Sequence, residues 1–314
     1  MGGSRPGGSP ARHAGGAGRG AGVSGASRGA APSPGRRLSW LFEAFLARAA
    51  LAVFAALPPA AASRLGARLA RLFGPLLPAQ RRGAANLHLA LPERAAEHPA
   101  ILSAAWANLG ATVAELAHLD RLAIEIEGAE HLPATGPALL VSAHLANWEA
   151  LPGALLARGI AMGAIYRAPD NPRVAALLAR RRGHGLPMFP KGAAGARGAL
   201  RFMAEGGILG LLADQKMNDG IAAPFFGHLA MTPAAPAALA LRFRCPVVPG
   251  RVERLGPARF RVTAEPPLML PDSGDRAADL AALTGAINAR IEAWIRARPG
   301  DWLWFHRRWP KSAR

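Results

Sequence analysis

Between residues 122 and 264, short apolar runs alternate with helix-like segments, and this alternation restricts the possible folds more than any other feature of the chain. The apolar runs fall at 122–126, 138–142, 160–166, 208–213, 247–252 and 260–264. Between them, helical patterns fall at 148–158, 172–183, 194–205 and 233–243. A run this short is a strand rather than a buried helix, and strands separated by helices build parallel crossover units. The predicted fold is therefore α/β: a layered sandwich with a mostly parallel central sheet flanked by helices. Ligands in such sheets collect at the carboxyl ends of strands. His144, Arg167 and Asp214 each follow an apolar run directly, so the three are expected to converge on one crevice.

The stretch Val141-Ser-Ala-His-Leu-Ala-Asn-Trp-Glu149 follows directly on the second run and sets a histidine and a carboxylate five positions apart. On one continuous helix that spacing turns the side chains about 140° away from each other. If His144 instead lies on the loop after the strand and Asn147 caps a helix starting near Trp148, Glu149 can fold back toward the imidazole. A carboxylate on one ring nitrogen fixes the tautomer and leaves the other nitrogen to accept a proton from an alcohol or amine. The expected catalytic pair is thus His144 and Glu149. The competing reading of the same spacing is an ordinary satisfied His and Glu.

Outside the alternating region the chain differs in character. Residues 1–37 are almost wholly Gly, Ala, Ser, Pro and Arg, too poor in large apolar residues to offset their ordering entropy, and are expected to be a disordered tail. Residues 38–75 are expected to form a membrane-associated helical segment, and 76–314 the catalytic domain. Glu43, Arg48 and the Pro58-Pro59 pair interrupt the apolar stretch, which favours a helix lying in the membrane interface, with a tilted span as the alternative. Residues 78–120 read as helices, as does 276–296. The formal net charge of +18 suits an anionic membrane or substrate, or nucleic acid. Cys245 is the one cysteine, which rules out an internal disulfide and a cysteine-based metal site, and its apolar surroundings suit an inert thiol. Aromatics and arginines interleave in Trp302-Leu-Trp-Phe-His-Arg-Arg-Trp309, which leaves three roles open: stacking on bases, anchoring at lipid headgroups, or closing the core.

Five blocks carry a family resemblance: Ser142-Ala-His-Leu-Ala-Asn-Trp-Glu149, Ile165-Tyr-Arg-Ala-Pro-Asp-Asn-Pro172, Leu212-Ala-Asp-Gln-Lys-Met-Asn-Asp-Gly220, Pro224-Phe-Phe-Gly-His-Leu-Ala-Met-Thr232 and the terminal tryptophan block. In this order they resemble the late acyltransferases of lipid A biosynthesis, the lauroyl/myristoyl transferases with a His-x4-Asp/Glu signature. The resemblance implies an enzyme at the cytoplasmic face of a bacterial inner membrane. It would move a fatty acyl chain from acyl carrier protein to a hydroxyl of a Kdo-bearing lipid A precursor. His144 would be the general base, with Glu149 orienting it. Arg167 would hold a phosphate, and Asn147, Asp214 and Gln215 would contact or position substrate. Asn147 is equally readable as a cap. Phe225 and Phe226 would shape the acyl channel or pack the core, and Gly227 would allow a tight turn. No metal and no cofactor beyond the carrier-protein thioester are expected. The expected partners are acyl carrier protein, the lipid A precursor and the anionic membrane surface, with no nucleic acid. Two alternatives stand beside this: a phosphatidylinositol mannoside acyltransferase using acyl-CoA, and a non-catalytic basic protein binding membrane or RNA.

Overall fold

The computed structural model describes residues 33–160, 162–182 and 185–310. Most of the expected tail of 1–37 lies outside the described residues, but Ser33 caps a helix to which 34–37 belong. That helix, α1 (Pro34–Ala55), starts with a proline at its first position, and the Ser33 hydroxyl accepts the Arg36 N–H at 3.3 Å. It ends before the proline pair, and Pro59 opens α2 (Pro59–Phe73). By length and composition α1 is long and apolar enough to cross a membrane, with a mean hydropathy of 1.6 over its most apolar 18-residue window. Leu38, Leu41, Phe42, Phe45 and Leu46 all project into solvent, and on α2 so do Leu69, Leu72 and Phe73.

Helices α3 (Ala79–Ala90) and α4 (His98–Glu115) lead into the sheet. Its strands are β1 (Ala123–Glu127), β2 (Ala138–Ser142), β3 (Met162–Tyr166), β4 (Met188–Pro190), β5 (Ile208–Leu212), β8 (Val247–Gly256) and β9 (Arg259–Ala264). Helices α5 (Ala150–Leu156), α6 (Pro172–Arg182) and α7 (Ala193–Ala204) connect β2 to β5. The seven strands lie in the order β1-β9-β8-β2-β5-β3-β4. Every neighbouring pair is parallel except β8 and β9. β2 sits in the middle with all five residues buried, which is why its sequence is a continuous apolar run rather than an alternating one. Because β5 lies between β2 and β3, the carboxyl ends of these three strands open side by side on one edge of the sheet.

The alternation missed two features. β4 has three residues, too few for a periodic signal. A hairpin, β6 (Ile221–Phe225) with β7 (His228–Thr232), stands apart from the main sheet. Its two loop residues, Phe226 and Gly227, both have positive φ, at 54° and 74°, the backbone a two-residue hairpin turn requires. A phenylalanine tolerates that conformation here because its N–H bonds Glu292 at 2.6 Å and its ring is buried. The hairpin is followed by α8 (Ala235–Phe243), and the chain closes with α9 (Arg276–Ala297).

The terminal block packs inward. Trp302, Trp304 and Trp309 are buried and meet Phe225, Phe226 and one another in edge-on and tilted ring contacts, so neither base stacking nor headgroup anchoring is open to them. Of the three roles left open by the sequence, closing the core is the one realised. Arg308 is drawn in with them, its guanidinium 4.5 Å from the Phe225 ring and donating to the Met231 carbonyl and the Thr232 hydroxyl. Burial lowers its pKa to about 10 against an opposing pull from Asp214.

Candidate active site

The chain leaves β2 at Ser142 and turns within four residues. Ala146 takes a left-handed conformation, φ 47°, which costs an alanine about 1 kcal/mol and persists only where the surroundings hold it. They do so from two sides. The Ala146 carbonyl accepts from Asn108 at 3.1 Å and Thr112 at 2.9 Å, both on α4, while its N–H donates to the Asp301 carbonyl at 2.9 Å. The Leu303 N–H meets the His144 carbonyl at 3.1 Å. The loop bearing His144 is thus gripped between a helix before the sheet and a segment after it.

The imidazole is held by Asp214, two residues beyond the end of β5. His144 Nδ1 donates to Asp214 Oδ1 at 2.8 Å, and the His144 backbone N–H donates to Oδ2 at 3.1 Å. The Trp302 indole N–H reaches the same Oδ2 at 2.8 Å. Asp214 is fully buried, which by itself would push its carboxyl up; the His144 imidazole, then His306 and the Trp302 N–H, hold it well below the usual carboxylate range. It is therefore ionised at neutral pH. Gln215 places its amide nitrogen 3.3 Å from His144 Nε2, a contact in which the amide donates and the ring nitrogen accepts. Nδ1 protonated and Nε2 unprotonated is the tautomer of a general base, and an incoming hydroxyl would take the place of the Gln215 amide at Nε2.

His144 Nδ1 bonds Asp214, a residue expected to contact or position substrate, while Glu149, the carboxylate expected to orient the ring, lies on the wall of the cavity that His144 also lines. The turn at Asn147 sets where Glu149 starts. Asn147 is fully buried and turns inward, its amide donating to Glu115 at 2.9 Å and its carbonyl oxygen accepting the Glu149 N–H at 3.2 Å. It acts as the cap-like turn before α5 and presents no surface to a ligand. Glu149 stays in the wall of the cavity described next.

That cavity has a volume of about 790 Å³ and opens along the ends of β2, β5 and β3. His144, Glu149 and Gln215 share it with apolar side chains, among them Leu151, Met162, Ile165, Leu186 and Met188. Three cations, Arg167, Lys191 and Lys216, also line it. Arg167 is largely exposed, and its guanidinium lies 3.7 Å from Asp170. The sheet thus brings His144, Glu149, Arg167 and Gln215 to one cavity, puts Asp214 beneath them, and leaves Asn147 behind. An unprotonated imidazole nitrogen beside a mostly apolar chamber can deprotonate a hydroxyl next to a hydrocarbon substrate. Among the described residues no cluster of three His, Cys, Asp or Glu is placed to hold a metal ion.

Sequence reasoning missed Trp302. It stands 88 residues from Asp214, and no local spacing reports the contact. The one signal was its tryptophan-rich block, whose chemistry fits a core equally well.

Comparison with known proteins gives the family. A family model described as bacterial lipid A biosynthesis acyltransferase matches residues 33–311. No match is found among curated proteins. Among solved structures the chain is similar to the crystal structure of the 1-acyl-sn-glycerophosphate (LPA) acyltransferase, PlsC, from Thermotoga maritima. The two share 14% identity over 75% of this chain and 99% of that one, with a TM-score of 0.37.

Proposed function

We propose, from the premise that this chain belongs to the bacterial lipid A biosynthesis acyltransferase family, that it transfers a fatty acyl chain from acyl carrier protein to a hydroxyl of a Kdo-bearing lipid A precursor. The observation that carries the reading is the His144 imidazole, fixed by Asp214 with Nε2 unprotonated and met by the Gln215 amide at 3.3 Å, at the wall of a cavity of about 790 Å³. The acceptor hydroxyl gives its proton to Nε2 as its oxygen bonds the thioester carbonyl carbon. The carbon–sulfur bond then breaks, and the imidazolium returns the proton to the departing thiolate. Asp214 stays ionised and stabilises the imidazolium between the two steps. No covalent acyl-enzyme is needed. Glu149, on the cavity wall, is a second carboxylate near the reacting groups, and Gln215 steadies the imidazole.

Arg167, Lys191 and Lys216 would receive the phosphates of the precursor or of the carrier's prosthetic arm, and the apolar walls the acyl chain. The net charge of +18 favours an acidic carrier protein, a phosphorylated acceptor and an anionic membrane alike. The solvent-facing apolar side of α1 supports attachment to the cytoplasmic face of the inner membrane.

The test is the mass of lipid A from a host lacking its own late acyltransferase, complemented with this chain or with His144→Ala. One additional acyl group with the native chain and none with the variant is the expected result. Unchanged lipid A with both, from folded and membrane-bound protein, would remove the lipid A assignment.

A further inference from the structure

We propose that Trp302 is a positioning residue of the acyl transfer: its indole N–H holds the Asp214 carboxylate in the orientation that aligns His144. This rests on the reading of His144 as the base.

The three buried tryptophans of the C-terminal segment use their N–H groups differently. Trp304 donates to the Pro299 carbonyl at 2.7 Å and Trp309 to the Phe225 carbonyl at 3.2 Å, so both serve the backbone. Trp302 instead donates to the carboxylate that carries the histidine. Asp214 Oδ1 is engaged by the imidazole, and Oδ2 by the His144 backbone at 3.1 Å and by Trp302 at 2.8 Å. Without the indole, one longer backbone bond is left to stop the carboxylate turning about its Cβ–Cγ bond, and that turn would swing the bond to Nδ1 out of line. The segment grips the histidine twice, because the next residue, Leu303, bonds the His144 carbonyl.

Trp302 is itself held rigidly. Its ring meets Trp304 edge-on at 4.6 Å, and Asn86 donates to the carbonyls of both Trp304 and His306 at 2.7 Å. A ring alone would fill the space. The N–H is what the site requires, and this separates positioning from packing.

The substitutions are Trp302→Phe and replacement of Trp302 by the benzothiophene amino acid, which keeps the bicyclic shape and loses only the donor. Full-length enzyme is assayed for release of carrier-protein thiol from a lauroyl or myristoyl carrier-protein thioester with a Kdo-bearing lipid A precursor. The proposal expects kcat to fall about tenfold to a hundredfold, the range for losing a hydrogen bond to a charged group, with KM little changed. It also expects the acid limb of the kcat–pH profile to move to higher pH. Losing the donor leaves more negative charge on Asp214, which favours the protonated imidazole. The other charged or titratable groups facing this pair are Glu149, Tyr166, Arg167, Lys191 and Lys216 at the cavity and His306 and Arg308 from the C-terminal segment, and both substitutions leave all of them in place.

Native kcat and an unmoved acid limb in the benzothiophene variant would overturn the proposal, as would a loss confined to KM. His144→Ala in the same assay separates the two levels. Native turnover in that variant removes the base reading and this inference with it. An inactive His144→Ala beside an unaffected Trp302 variant removes the role of Trp302 alone.

Discussion

His306 shows how burial sets the acid stability of this protein. Its Nδ1 lies 2.7 Å from the Leu303 carbonyl and so carries the proton, while Nε2 is buried with no hydrogen-bond partner among the described residues. Burial lowers its pKa from the ordinary 6.5 to about 4, although the Asp214 charge pulls the other way. Above about pH 6.5 the ring is neutral in both folded and unfolded chains, and the full stability is present. Below that the unfolded chain takes up the proton first, so stability falls as pH drops from about 6.5 toward 4, by on the order of 3 kcal/mol. Asp214, also depressed, adds a loss in the same direction only in the more acid range where carboxylates ordinarily titrate. Urea midpoints at pH 7 and near pH 4.5 should show a steep acid loss in the native chain and a shallower one in His306→Gln. Equal slopes would mean that His306 is not the group responsible.

At the scale of elements, the decisive contact is the crossing of α2 and α4. A methyl on Gly66 would lie 2.3 Å from the Gly110 carbonyl oxygen, and one on Gly110 2.2 Å from that of Gly66. The backbones touch, and no side chain can come between them. Through α4 this crossing bears on the site, since Asn108 and Thr112 hold the left-handed Ala146. Gly66→Val is expected to destabilise the fold by about 1–3 kcal/mol through overpacking, seen as a drop in thermal midpoint of several degrees. Gly285→Ala, inside α9 with open space around it, is the control and should be neutral or slightly stabilising. A Gly66→Val protein as stable as native would mean that the two helices separate freely. The tight crossing also ties the amphipathic segment to the catalytic body, although the composition of 38–75 sets it apart.

At the scale of the whole molecule, one buried carboxylate joins regions far apart in sequence. Glu115, at the end of α4, accepts from Ser63 on α2 at 2.7 Å, from Asn147 at 2.9 Å and from the Ala258 N–H at 3.3 Å, and it pairs with Arg254 on β8. Arg254 in turn bonds Asn108 and Thr112 and lies over the Phe260 ring. Removing one partner of such a pair leaves an uncompensated buried charge, so Glu115→Ala should cost about 3–5 kcal/mol in denaturant unfolding. Adding Arg254→Met should recover part of that loss, because the stranded charge goes with it. A double variant no more stable than Glu115→Ala would refute the pairing account. Reduced turnover should accompany the single change, since Asn147, next to the Ala146 turn, loses its partner.

The order of elements was legible in the residues themselves. A five-residue apolar run such as 138–142 is stable only where both faces are covered, and that need alone makes it a central strand and puts His144 at a carboxyl end. Local pattern likewise marked α9 and the apolar N-terminal helix, because a 3.6-residue period is a property of one element. Local pattern did not find the Asp214 contact. Glu149 is close to His144 along the chain, but the left-handed Ala146 and the inward turn of Asn147 set its direction, and both are held by α4 and by residues beyond 300. Asp214 reaches the imidazole because β5 inserts between β2 and β3, and strand order is decided by how whole faces pack, not by any one strand's spacing. Trp302 joins them for the same reason. Helices, strands and the candidate base could be read from short-range periodicity, whereas the hydrogen bonds that tune the base join segments tens of residues apart and exist only once the core has closed around them.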